Sequence, residues 1–112
     1  MKPYLSVVIP AYNESENYNA GVLDPVLKYL KSQKHSWELV FVDDGSTDDS
    51  YKLLSGLAQK DTNIKVLQIP HGGKAAAVTH GILNSTGDIV LFTDFDQSTP
   101  IEQVTKFISV HK

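Results

Sequence analysis

The chain has 112 residues, 41% of them hydrophobic and 21% charged, with a formal net charge of −3. This is the make-up of one ordinary globular domain with room for a single core, and an acidic balance without a basic stripe argues against a nucleic-acid partner. No apolar run exceeds five residues, against the ~20 that cross a bilayer, and the absence of cysteine removes disulfides and thiolate metal sites.

Residues 1–10 lack the basic start and long apolar stretch of a signal peptide, so the segment is expected to be soluble and cytoplasmic. Leu5 to Ile9 reads as a strand stopped by Pro10, whose nitrogen has no proton for a ladder. The polar stretch Ala11 to Asn17 offers several N-caps. The helix behind it is expected in two pieces, the second opened by Asp24-Pro25 and facing Val26, Leu27 and Leu30 to the core. Trp37 to Val42 (WELVFV) is a second strand, running into the turn Asp43-Asp44-Gly45-Ser46-Thr47-Asp48. Leu53, Leu54, Leu57 and Ala58 keep helical spacing up to Asp61-Thr62-Asn63.

Ile64 to Ile69 alternates as a third strand and is broken by Pro70-His71-Gly72-Gly73. Lys74 opens an alanine-rich helix with Val78, Ile82 and Leu83 as its expected buried stripe, and Gly87 as the glycine just past its end. Ile89 to Phe92 is an unbroken apolar run, the pattern of a buried parallel strand. Thr99-Pro100-Ile101-Glu102 then reads as a capping box for a last helix that carries Ile101, Val104, Phe107 and Ile108 on one face.

Strands alternating with helices imply an α/β fold, a Rossmann-like parallel sheet of about four strands covered by helices. Right-handed crossovers favour spatial order 3-2-1-4, with ligands bound beyond the carboxyl ends of the strands where the winding reverses. Tyr12, Asn13 and Glu14 follow the first strand, Asp43 and Asp44 the second, Lys74 the third, and Asp94 and Asp96 the fourth. Every unusual polar cluster is therefore expected on one edge.

Asp94 and Asp96 flank Phe95, and alternation sends the two acids one way and the ring the other. Two adjacent acids need positive compensation, and two hard oxygens suit Mg²⁺ or Mn²⁺ with positions left for phosphate. A lone D-x-D is more often a turn or cap than a metal site; its company gives it weight here. The chemistry suggested is a nucleoside-diphosphate ligand. The cation on Asp94 and Asp96 would neutralise the diphosphate, Asp43 or Asp44 would accept from a base N–H or a ribose hydroxyl, Tyr12 would pack on the base, and Lys74 would face the phosphates. Of the four histidines only His71 falls near this pocket.

The segments SVVIPAYNESENY, FVDDGSTDDS, GGKAAAVTHGILNSTGDIV and FTDFDQSTP together resemble the family 2 glycosyltransferases of the GT-A fold. The closest flavour is that of the polyprenyl- and dolichyl-phosphate sugar transferases. The resemblance implies that Pro10, Ala11, Tyr12 and Glu14 line the nucleotide pocket and that Asp43 or Asp44, with a slight preference for Asp44, recognises base or ribose. It also implies that Asp94 and Asp96 hold the metal and the sugar-nucleotide diphosphate. Gln97 and Ser98 depart from the common continuation of the motif, and Ala75 stands where many relatives have glycine.

Residues 1–112 then correspond to the nucleotide-sugar-binding half of such a truncated GT-A domain, with the catalytic base expected in an acceptor half. The implied partners are a UDP- or GDP-linked hexose and a lipid-phosphate acceptor, which places a full-length parent at the cytoplasmic face of a membrane. A fourth strand without a neighbour would be an open edge inviting self-association. Two other readings compete. A non-catalytic nucleotide-sugar-binding module would keep the pocket without turnover. A phospho-acceptor signalling domain would need its acid pair after the first strand, where this chain has Pro10-Ala11-Tyr12.

Overall fold

A computed structural model describes residues 2–96 and the strand residues Val110–His111. The elements run β1 (Leu5–Ala11), α1 (Ser15–Asn19), α2 (Asp24–Lys31), β2 (Trp37–Asp44), α3 (Ser50–Lys60), β3 (Ile64–Ile69), α4 (Lys74–Leu83), β4 (Ile89–Phe92) and β5 (Val110–His111). The sheet order is β3-β2-β1-β4-β5. Four strands are parallel in the expected 3-2-1-4 order, with Val8 beside both Val40 and Phe92. The helix expected in two pieces between the first two strands is present as α1 and α2, with Pro25 in the first turn of α2.

Strand alternation builds two cores from one sheet. Val7, Ile9, Leu39, Phe41 and Leu91 point to the side closed by Val26 and Leu30 of α2 and Leu54 of α3. Val8, Val40, Val42 and Val90 point to the other side, where α4 lies with Ala77 buried. These central β-branched residues are fully covered, as expected of strands enclosed on both faces.

The α4 stripe differs from expectation. Ala77 and Gly81 are its buried residues, whereas Leu83 is 72% exposed. The reason is proximity. A side chain at Gly81 would collide with Val8 Cγ1 and come within 3.0 Å of Val42 Cγ2, so the helix meets the sheet through its smallest residues. The same helix ends at Leu83, and Gly87 is not its terminator. Gly87 instead lies against β1, its N–H donating to Ser6 Oγ at 2.8 Å.

A second correction concerns the edge of β4. It is not open along its length, because β5 pairs with it antiparallel, Ile89 opposite His111 and Val90 opposite Val110. The argument for self-association through that edge loses its premise at these two residues. The capping box at Thr99-Pro100, the last helix with Ile101, Val104, Phe107 and Ile108, and Gln97 and Ser98 lie outside the described residues.

At the amino end of the strands, Glu38 ties three segments together. Its carboxylate accepts from Ser6 Oγ at 2.6 Å and from the Thr86 N–H at 2.6 Å, with Lys65 Nζ 3.3 Å away. Burial pushes its carboxyl up, but the bonds from Ser6 and Thr86 and the charge of Lys65 outweigh this and hold it below the usual value.

Candidate functional site

At the carboxyl edge of the parallel strands lies a cleft of about 460 Å³ lined by Pro10, Ala11, Tyr12, Glu14, Asp44, His71, Gly73, Lys74, Asp94, Phe95 and Asp96. Of the residues singled out in the sequence, Pro10, Ala11, Tyr12, Glu14, Asp44, Lys74, Asp94 and Asp96 meet here. They arrive from the ends of β1, β2, β3 and β4, which is why stretches as far apart as residues 10 and 96 share one cavity.

Asp43 does not join them. It is fully buried on the opposite face of β2 from Asp44, as the two-residue period of a strand requires. Its Oδ2 accepts the Ser46 N–H at 3.1 Å, and among the described residues its Oδ1 has no hydrogen-bond partner. Its observed contact is thus to the turn after β2.

Asp44 has a different job. Its two carboxylate oxygens accept the N–H groups of Gly72 at 2.8 Å and Gly73 at 3.0 Å. His71 Nδ1 lies 3.0 Å from the same carboxylate. The acid at the end of β2 therefore fastens the β3–α4 loop and so places Lys74 at the cleft. Gly45 completes the fit. Its φ of +70° lies in the left-handed region that favours glycine, and a side chain there would stand 2.6 Å from the His71 nitrogen.

The loop after β1 is held by residues that the sequence reading passed over. Asn13 adopts φ +52°, the left-handed region that asparagine tolerates better than most residues. Its Oδ1 accepts the N–H groups of Thr47 at 2.8 Å and Asp48 at 3.3 Å, and its own N–H donates to Ser46 Oγ at 2.9 Å. The Glu14 N–H donates to buried Ser50 Oγ at 2.7 Å. Asp48, read from the sequence as part of the turn after the second strand, accepts from Ser15 Oγ at 2.8 Å and from the Ser50 N–H at 2.9 Å. Slight burial raises the Asp48 carboxyl, but the bonds from Ser50 and Ser15 prevail and lower it to about 2. The only written hint was the density of Ser, Thr, Asp and Asn in both loops, residues that bond readily to backbone.

β4 ends at Phe92, so Asp94 and Asp96 follow the strand rather than belong to it. Their expected sidedness holds in part. Both line the cleft, while Phe95 is 2% exposed and packs with its ring centroid 6.1 Å from that of Phe41. Lys74 Nζ forms an ion pair with Asp94 Oδ1. Tyr12, an exposed ring, stacks on the His71 imidazole at 4.3 Å with a 29° tilt.

The lining carries four carboxylates, Glu14, Asp44, Asp94 and Asp96, against one lysine that already faces Asp94. A diphosphate entering this field meets repulsion unless a cation accompanies it. Asp94 and Asp96 present the hard oxygen donors that suit Mg²⁺ or Mn²⁺. Among the described residues no cluster of three or more His, Cys, Asp or Glu gathers around one point. The donor set fits a cation shared with a phosphate ligand.

The model of "Glycosyl transferase family 2" matches residues 6–112. A dolichyl-phosphate beta-glucosyltransferase of Trichomonas vaginalis is 40% identical over 105 residues, covering 88% of this chain and 32% of that protein. The mannosyltransferase PcManGT from Pyrobaculum calidifontis, solved with GDP-Man and Mn²⁺, superposes with a TM-score of 0.66 at 26% identity, over 86% of this chain and 28% of its own. The S. aureus TarS 1-349 in complex with UDP-GlcNAc gives 0.68 at 27% identity, over 94% and 31%. The chain spans about a third of the length of the curated relatives it matches.

Proposed function

Since the chain belongs to glycosyl transferase family 2, we propose that residues 1–112 are the donor-binding part of a hexosyltransferase, taking a UDP- or GDP-linked sugar in the strand-end cleft. The observation that carries the proposal is the meeting of Tyr12, Asp44, Lys74, Asp94 and Asp96 around one cavity. Solved neighbours with GDP-Man and Mn²⁺ or with UDP-GlcNAc support the ligand class.

In this reading Tyr12 stacks on the base, Asp44 accepts from a base N–H or the ribose, and Pro10, Ala11 and Glu14 shape the wall beside them. Lys74 sets its ammonium near the phosphates. Asp94 and Asp96 hold Mg²⁺ or Mn²⁺, which when bound offsets the charge of the departing diphosphate. Asp43 stays behind the site, bracing the turn after β2.

The acceptor we propose is a polyprenyl phosphate, by likeness to the dolichyl-phosphate glucosyltransferase. Its phosphate oxygen bonds to the anomeric carbon as the bond from that carbon to the diphosphate oxygen breaks, the electron pair leaving with UDP or GDP. That nucleophile is already anionic, so little base assistance is required of this chain. A lipid acceptor implies action at the cytoplasmic face of a membrane; among the described residues no helix is long and apolar enough to cross one.

Calorimetry of UDP, GDP and their sugars, with and without Mn²⁺, tests the reading. Metal-dependent binding is expected for one base, and Asp94→Asn and Asp96→Asn should each abolish it. Full metal-dependent binding by either variant would overturn the assignment of that carboxylate. Binding without nucleotide release when a polyprenyl phosphate is added would identify a module that does not turn over by itself.

A further inference from the structure

The two groups assigned above to the nucleobase are already engaged with a residue of the chain. The His71 imidazole lies on the Tyr12 ring at 4.3 Å, tilted by 29°. Its Nδ1 is 3.0 Å from Asp44 Oδ2 and 3.1 Å from the Asp44 carbonyl oxygen. A flat ring stacked on tyrosine and presenting a nitrogen to a carboxylate reproduces what a base with a ring N–H would do there. We propose that His71 is a specificity-determining residue that occupies the base subsite and is displaced when a nucleotide binds.

Access supports displacement over a shared slot. The Asp44 side chain is 4% exposed, whereas His71 beside it is 56% exposed. Of the four lone-pair positions on the carboxylate, the Gly72 and Gly73 N–H groups take two and His71 faces a third. A base reaches this acid once the imidazole has left. Only a ligand that replaces both the stack and the hydrogen bond recovers what departure costs, whereas a diphosphate without a base has no reason to disturb His71. The loop itself need not move, because the Gly72 and Gly73 bonds to Asp44 do not involve the imidazole.

The inference rests on the donor-binding reading, and the experiment separates the two. His71→Ala keeps the Cβ that packs over Gly45, and its unfolding midpoint is measured alongside wild type. Calorimetry with Mn²⁺ should show UDP or GDP bound at least about tenfold more tightly by the variant, the combined worth of one aromatic stack and one hydrogen bond to a carboxylate. Inorganic pyrophosphate with the same metal should bind both proteins equally. In wild type, the His71 Hε1 resonance, shifted upfield by the Tyr12 ring, should move towards its free-histidine position on saturation with nucleotide. Weaker or unchanged nucleotide binding by His71→Ala overturns the inference, as does an Hε1 shift that persists at saturation. Failure of wild type to bind UDP, GDP or their sugars overturns the donor-binding reading itself, and this inference with it.

Discussion

Asp43 and Asp44 are adjacent, identical in chemistry and both buried, yet their amide variants should differ in stability. Asp44→Asn keeps one acceptor oxygen and turns the other into a donor facing a backbone N–H of Gly72 or Gly73, which now bond at 2.8 and 3.0 Å. A buried N–H left without an acceptor costs about 1–3 kcal/mol. For a chain of this size, the middle of that range lowers the midpoint of thermal unfolding by about 10 °C. Asp43→Asn keeps an oxygen for the Ser46 N–H, and its new NH₂ replaces an oxygen that has no partner among the described residues. One unpartnered polar atom is exchanged for another and no observed hydrogen bond is lost, so this variant should stay within about 1 kcal/mol of wild type. Thermal and urea unfolding followed by far-UV circular dichroism read both. Equal losses, or an Asp44→Asn protein as stable as wild type, would refute the division of labour between the two acids.

Three further outcomes are expected. Gly81→Val should destabilise by about 1–3 kcal/mol, because α4 must lift from Val8 and Val42; urea titration measures it. Asn13→Ala should cost more than Asn13→Gly, since both lose the acceptor for Thr47 and Asp48 while alanine adds about 1 kcal/mol of left-handed strain, again by urea titration. The Asp48 carboxyl is lowered to about 2 from its ordinary 3.8. Its stabilising share is therefore complete above about pH 4 and lost as pH falls from there towards 2. At so exposed a position the share is under about 1 kcal/mol, and it should vanish from the acid-unfolding profile of Asp48→Asn.

What could be read from the letters followed regular periods. WELVFV and IVLF announced enclosed strands, and four such strands with helices between them led to the 3-2-1-4 order. That order brought Tyr12, Asp44, Lys74, Asp94 and Asp96 to one edge. What escaped had no period. Hydrophobicity pointed to Val78, Ile82 and Leu83; Ile82 does pack against the core and Leu83 does not, while the closest approach of α4 to the sheet is through Ala77 and Gly81, chosen for smallness. Asn13, Asp48 and Ser50 act through side-chain bonds to backbone across more than thirty residues of sequence, which no local window contains. Asp43 and Asp44 are separated by no more than a slight preference in the sequence, because the alternation that sends them to different faces depends on β2 extending through both. β5 is two residues long, below the length at which alternation carries a signal.

The position of β1 in the sheet has a consequence for how the chain comes into being. β1 is enclosed on both sides, yet one neighbour begins at Trp37 and the other at Ile89. Until residues 89–92 have been made, a ribbon holding Val7, Val8 and Ile9 keeps one side unpaired. Such late, distant pairing slows folding and leaves the nascent segment prone to sticking. Hydrogen-exchange labelling during refolding should show amides shared by β1 and β2 protected before those shared by β1 and β4.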